Sequence, residues 1–176
     1  MKRVIPLILA TLMLFALCAC GGDDKSKTEK DDRQAYTPDY GDFYFESNGV
    51  KFGIMDYADK VLEALGEPQS TFESNSCAYQ GKDEFYYYDG FEIMVNEIDG
   101  EKRITGITLA DDTITNPQGV KIGMDINEAL GLMGEGYTQA GNVYKYVAGS
   151  TMFRLKEFDD GTIVAAEYCV AANQEG

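Results

Sequence analysis

The chain has 176 residues, with 30 Asp and Glu against 15 Lys and Arg, a formal charge of −15, and neither histidine nor tryptophan. That charge repels nucleic acid and anionic headgroups, so nucleic acid is not an expected partner. Without histidine the commonest general base and metal ligand are missing, and Ser-His-Asp and Cys-His catalysis are excluded. In chain order, Lys2 and Arg3 precede an uncharged run over residues 4–19, rich in Leu, Ile and Ala. This is the layout of an export signal. The run is shorter than the roughly 20 apolar residues a spanning helix needs. It ends Leu17-Cys18-Ala19-Cys20 and is followed by Gly21-Gly22. The next stretch, to about Asp39, is almost wholly polar, and such a segment buries too little to offset its ordering entropy. A tether of about 20 residues reaches on the order of 25 Å.

The run ending at Cys20 resembles the lipobox of bacterial lipoproteins. The resemblance implies cleavage before a cysteine that has a small residue ahead of it and a branched apolar residue three before it. Ala19 and Leu17 meet that rule for Cys20, whereas Cys18 would follow Leu17. Cys20 is therefore the expected lipidated N-terminus, with palmitate-type chains anchoring the protein on the extracytoplasmic face of the cell membrane. Two or three acyl chains hold where one is marginal. Removing Lys2 and Arg3 with the signal takes the charge from −15 to −17. The expected organisation is signal 1–19, lipidated Cys20 and tether 20–40, then two units over 41–117 and 118–176.

Other chemistry is thin. No Walker loop is present, and Gly134-Glu135-Gly136 lacks the spacing of a dinucleotide fingerprint. No Asp-rich calcium loop occurs, and Asp99-Gly100 and Asp160-Gly161 read as turns. No cofactor and no metal are expected. Cleavage and acylation leave Cys77 and Cys169, in a compartment where disulfides persist. A bridge closing about 90 residues is worth about 4–5 kcal/mol in the chain-entropy model. Two free thiols packed as small hydrophobes are the equal alternative.

The chain repeats itself. Gly49-Val50-Lys51-Phe52-Gly53 returns as Gly119-Val120-Lys121-Ile122-Gly123, 70 residues on. A helix is expected after each. In the first, Asp56 is the expected cap, Ala58, Val61, Leu62 and Leu65 form one apolar stripe, and Gly66 stops the helix. In the second, Asp125 caps with Glu128 three residues on, Ile126, Ala129, Leu130 and Met133 form the stripe, and Gly134 stops it. Strands are expected over 77–80, 84–88, 91–98 and 103–110, then over 143–147, 152–158 and 162–170. Phe91, Ile93 and Val95 alternate with Glu92, Met94 and Asn96, as in a half-buried strand. The expected fold is α+β, two tandem units, each a short helix on an antiparallel β-meander.

The Gly-Val-x-x-Gly lead, a helix ending Leu65-Gly66-Glu67-Pro68, and a meander turning at Asp99-Gly100 are similar to the BamE (SmpA/OmlA) family of outer-membrane assembly lipoproteins. Two copies in tandem resemble the architecture of β-lactamase inhibitory protein. The run Ser76-Cys77-Ala78-Tyr79-Gln80-Gly81, ahead of the tyrosine strand and Phe91-Glu92-Ile93, resembles a group of lipoproteins of Gram-positive gut anaerobes. These resemblances span roughly residues 43–170 and imply binding scaffolds, not enzymes.

The expected function is that of a membrane-anchored, non-catalytic protein-interaction or envelope-assembly module with a protein partner. A small-solute or peptide-binding surface lipoprotein is the alternative. Phe85 and Tyr87 face one side of their strand, Tyr86 and Tyr88 the other, and only one side packs under a helix. A binding face carrying Tyr86, Tyr88, Tyr144 and Tyr146 is one reading, since rigid amphipathic tyrosines suit recognition; the other is that these rings merely cover the sheet, some packing between the two units, as ordinary strand aromatics do. An enzyme here would depend on carboxylates, Lys, Tyr or Cys77, and only Lys82 lies near Cys77 in sequence.

Overall fold

The computed structural model describes residues 43–171. The export run, Cys20 and the tether lie outside the described residues. The first element is a hairpin, Phe45–Ser47 (β1) and Val50–Phe52 (β2), closed by Asn48 and Gly49 at φ 52° and 77°. Two successive positive φ values give the turn whose twist matches a hairpin, and Asn-Gly supplies them at least cost.

Two helices follow at separate points in the chain, Ala58–Leu65 (α1) and Ile126–Met133 (α2). In α1, Ala58 and Val61 are buried while Leu62 and Leu65 pack on the core edge; in α2, Ile126 and Ala129 are buried beside Leu130 and Met133. Eight-residue helices are marginal alone, so this apolar stripe holds them in place. Asp125 caps α2, its carboxylate accepting from the backbone N–H of Asn127 (2.8 Å) and Glu128 (3.3 Å). The expected cap of α1 is corrected: the N-cap residue is Tyr57, with no side-chain capping hydrogen bond, and Asp56 is one position too early. The reason is that the chain before α1 runs as a strand partner. Met55 N–H donates to Ile104 O (2.8 Å) and Ile104 N–H to Asp56 O (3.0 Å), which turns the Asp56 carboxylate back onto Gly53 N–H (2.9 Å). Both helices end at glycine, Gly66 and Gly134, at φ 80° with ψ near 180°. Only glycine enters that region freely.

The rest is one eight-stranded antiparallel sheet. Its strands are Ser70–Asn75 (β3), Gln80–Tyr87 (β4), Phe91–Ile98 (β5), Glu101–Leu109 (β6), Thr138–Ala140 (β7), Val143–Ala148 (β8), Thr151–Glu157 (β9) and Ile163–Val170 (β10). The spatial order is β3-β4-β5-β6-β10-β9-β8-β7, so β6 and β10 pair at the centre, with Tyr168 opposite Ile107. The fold is mostly β, with two helices on a large antiparallel sheet. The strand over 91–98 stands as expected. The strand expected over 77–80 is instead a turn leading into β4: the Ser76 hydroxyl accepts from Ala78 N–H (3.3 Å) and Tyr79 N–H (2.9 Å). Strands β3 and β7 were not expected, because both are sheet edges exposed on both faces and carry no apolar alternation.

One face of the sheet is covered. Register places Tyr86, Ile93, Ile107, Tyr168, Phe153 and Tyr146 in one row across it. Phe45 of the hairpin meets Phe91 at 5.1 Å and Tyr168 at 6.5 Å between ring centroids, and Phe52 meets Phe91 at 6.3 Å. Each such ring, once buried, contributes about 1.5–3 kcal/mol. Among the described residues no helix is long and apolar enough to cross a membrane.

Candidate functional site: the open face of the sheet

Strand alternation sends every second residue to the face that helices and hairpin leave uncovered. The register aligns Phe72, Phe85, Met94, Gly106, Cys169, Met152 and Val147 side by side across seven strands. This is an apolar stripe from one edge of the sheet towards the other. Its ends are the most exposed, Phe72 at 55 % and Val147 at 49 %. Phe72 and Phe85 are ring neighbours at 6.0 Å. Gly106 keeps the middle low, since a Cβ there would stand 3.2 Å from Met94 Cβ.

The adjacent row is polar and reads Ser70, Tyr87, Glu92, Thr108, Glu167, Arg154, Lys145. Arg154 pairs with Glu167 through its guanidinium. Burial pushes the Glu92 carboxyl up; the Tyr87 hydroxyl opposes this and Glu167 adds to it. Next to this row, towards the β9–β10 turn, is a depression of about 290 Å³ lined by Asn142, Val143, Arg154, Lys156, Ala165 and Glu167.

Towards the other end of the face the β3–β4 hairpin bulges, because three residues of β4 oppose Asn96 alone. Asn96 is 1 % exposed, and its amide bonds Lys82 O (3.1 Å) and the Asp83 carboxylate (2.5 Å) while accepting from the Thr105 hydroxyl (2.5 Å). A fully bonded buried amide fixes this bulge, where an unpaired one would cost about 1–3 kcal/mol. The phenol of Tyr79 is pushed up by burial and then by Cys169 and Asp83.

The four tyrosines expected to form the binding face lie on the other side. Tyr144 and Tyr146 are 7 % and 4 % exposed, and Tyr86 and Tyr88 pack against the core. The reason is chemical as well as steric. The Tyr88 hydroxyl donates to Gly66 O (3.1 Å) and the Tyr146 hydroxyl to Gly134 O (3.0 Å), so each tyrosine ties a helix end to the sheet. Tyr86 donates to Glu84 (2.8 Å); its phenol is pushed up to about 12 by burial and then by that bond. Tyr144 donates to Glu157 (2.9 Å). A signal for this was present in the sequence. The two-residue turn Asp89-Gly90 sets Tyr88 opposite Phe91, hence Tyr86 opposite Ile93, on the strongly apolar side of β5.

Cys77 is exposed and Cys169 half-buried, and both are free thiols. The structure forms no bridge between them. Burial, then Glu167, pushes the Cys169 thiol up, which keeps it protonated and weakly nucleophilic. Among the described residues no group of three or more Cys, Asp or Glu side chains is arranged to hold a metal ion. The open face offers shape, apolar surface and charge for binding.

No family model matches this chain, and neither the curated proteins nor the solved structures contain a significant match to it.

Proposed function

We propose that the protein is a lipid-anchored, extracytoplasmic, non-catalytic module that binds another protein through the open face of its sheet. The apolar stripe from Phe72 to Val147 carries the reading. Seven aligned positions on the face away from the helices, all but the buried Gly106 reaching solvent and bordered by a row of charged and polar groups, have the layout of an interface with an apolar centre and a polar rim. Two tandem helix-and-meander units build that face. The reading is supported by the Gly49–Gly53 and Gly119–Gly123 leads, by each helix preceding four strands in the chain, and by the matching tyrosine-to-glycine bonds at both helix ends. The lipid anchor rests on the run at Cys20.

Two measurements test the two halves of the proposal. Radiolabelled palmitate should enter the wild-type chain and not Cys20→Ala, and the variant should leave the membrane fraction. Equal labelling would overturn the anchor. Envelope proteins captured by the wild type and lost with Phe72→Ser/Val147→Ser would support the face, both sites being exposed enough to leave folding intact. An identical captured set would overturn it.

A further inference from the structure

The open face is not uniform in charge. Lys145 lies directly opposite Arg154 in the β8–β9 register, and Lys156 is two residues further along β9 on the same face. Like charges opposed across strands destabilise a sheet. Yet the chain has 30 acidic residues, twice its number of cations. Glu167 takes Arg154, while among the described residues neither Lys145 nor Lys156 enters an ion pair. Among the described residues, two neighbouring lysines on the open face thus lack a carboxylate partner.

The depression of about 290 Å³ sits beside these cations, with Val143 and Ala165 as its apolar lining and Arg154, Lys156 and the Glu167 carboxylate as its charged groups. Pockets for free small ligands run from about 300 to 1,000 Å³ and enclose most of the ligand. This one lies just below that range and suits a side chain better than a free ligand. Two residues along the same face from Arg154 and Lys145, Met152 and Val147 begin the apolar stripe.

We propose that Lys145, Arg154 and Lys156 anchor the carboxylates of an acidic polypeptide segment whose neighbouring apolar side chain lies on Met152 and Val147. The inference rests on the reading of the open face as a protein-binding surface and names the chemistry of what binds there. The acidity of the partner is local. With a Debye length of about 8 Å at physiological salt, repulsion from the rest of this acidic chain is largely screened, whereas a short segment meets the cations within that distance.

The test takes the full chain in detergent micelles and pans it against a phage-displayed library of random dodecapeptides. Enriched sequences should carry two or more Asp or Glu beside an aromatic or aliphatic residue. A synthetic copy of the leading peptide should bind about tenfold more weakly to Lys145→Glu and to Lys156→Glu. Both changes lie on the solvent side, and Lys145→Gln/Lys156→Gln, with thermal midpoints for all variants, separates lost charge from lost fold. Enrichment of neutral or basic peptides, or no enrichment, overturns the proposal. So does unchanged affinity in both charge reversals. If the reversals have no effect but Phe72→Ser/Val147→Ser abolishes binding, the acidic anchor falls and the protein-binding reading stands. If none of these variants matters, both fall. A concentration-dependent dimer in sedimentation, lost in Phe72→Ser/Val147→Ser, would show a second copy on this face and overturn the acidic partner.

Discussion

Tyr146 shows how one hydroxyl decides which face of a strand is structural. Its O–H donates to Gly134 O at 3.0 Å, a carbonyl at the end of α2 with no helical partner of its own. Tyr146→Phe keeps the ring but leaves that carbonyl beside an apolar edge, so unfolding free energy should fall by about 1–2 kcal/mol. Denaturant titration measures this, with open-face binding unchanged; an unaltered midpoint would remove the bond from the account. Glu92 makes the complementary case on the open face. Its folded carboxyl holds a proton more tightly than the unfolded chain does, burial being the main cause. The stabilisation from that shift is present in acid and is lost as pH rises through the raised value, so ionised Glu92 costs stability at neutral pH. Glu92→Gln still accepts from Tyr87 and cannot ionise. Its thermal midpoint should exceed the wild type at pH 7 and converge with it near pH 3. A lower midpoint at pH 7 would mean that the charge is needed within the monomer.

At the scale of elements, capping separates the two helices. Asp125 satisfies two orphan N–H groups of α2, whereas α1 starts at Tyr57 without a side-chain capping hydrogen bond. Asp125→Ala should cost about 1 kcal/mol and Asp125→Ser much less, read by denaturant midpoints. Equal losses would point to something other than the cap. The same contrast shows what the sequence could carry. Stripe positions, glycine stops and the alternation of Phe91, Ile93 and Val95 are local signals, and the elements follow them. The cap at Asp56 failed because a distant residue, Ile104, recruits its backbone as a strand partner. Strands β3 and β7 were silent because an edge with both faces in water needs no apolar pattern. The open face was half legible. Alternation separated Phe85 and Tyr87 from Tyr86 and Tyr88, but choosing the covered side required the register across the Asp89-Gly90 turn, which links β4 to the strongest apolar strand.

The whole molecule depends on one seam. The chain reads as two units, 41–117 and 118–176, but the pairing of β6 with β10 makes a single sheet, and the core crosses it. Tyr168 of the second half lies opposite Ile107 of the first and against the hairpin ring Phe45. Without β10, the inner edge of β6 would present unpaired N–H and C=O groups, and Ile107 and Phe45 would lose Tyr168 as a neighbour. A unit of about 75 residues is already marginal, since a chain that short buries only about 60 % of its unfolded surface. Residues 41–117 expressed alone should therefore show no cooperative urea transition and little strand signal in far-UV circular dichroism. The full chain should unfold in one transition by both fluorescence and circular dichroism. A cooperative transition in the isolated first unit would make the seam a docking contact between two independent domains. The stripe on the open face would then depend on how they dock, because Gly106 and Cys169 meet across that seam. If the single transition holds, the register that stabilises the core also sets the proposed binding face, and changes at the seam such as Tyr168→Ala should lose folding and any binding by that face together.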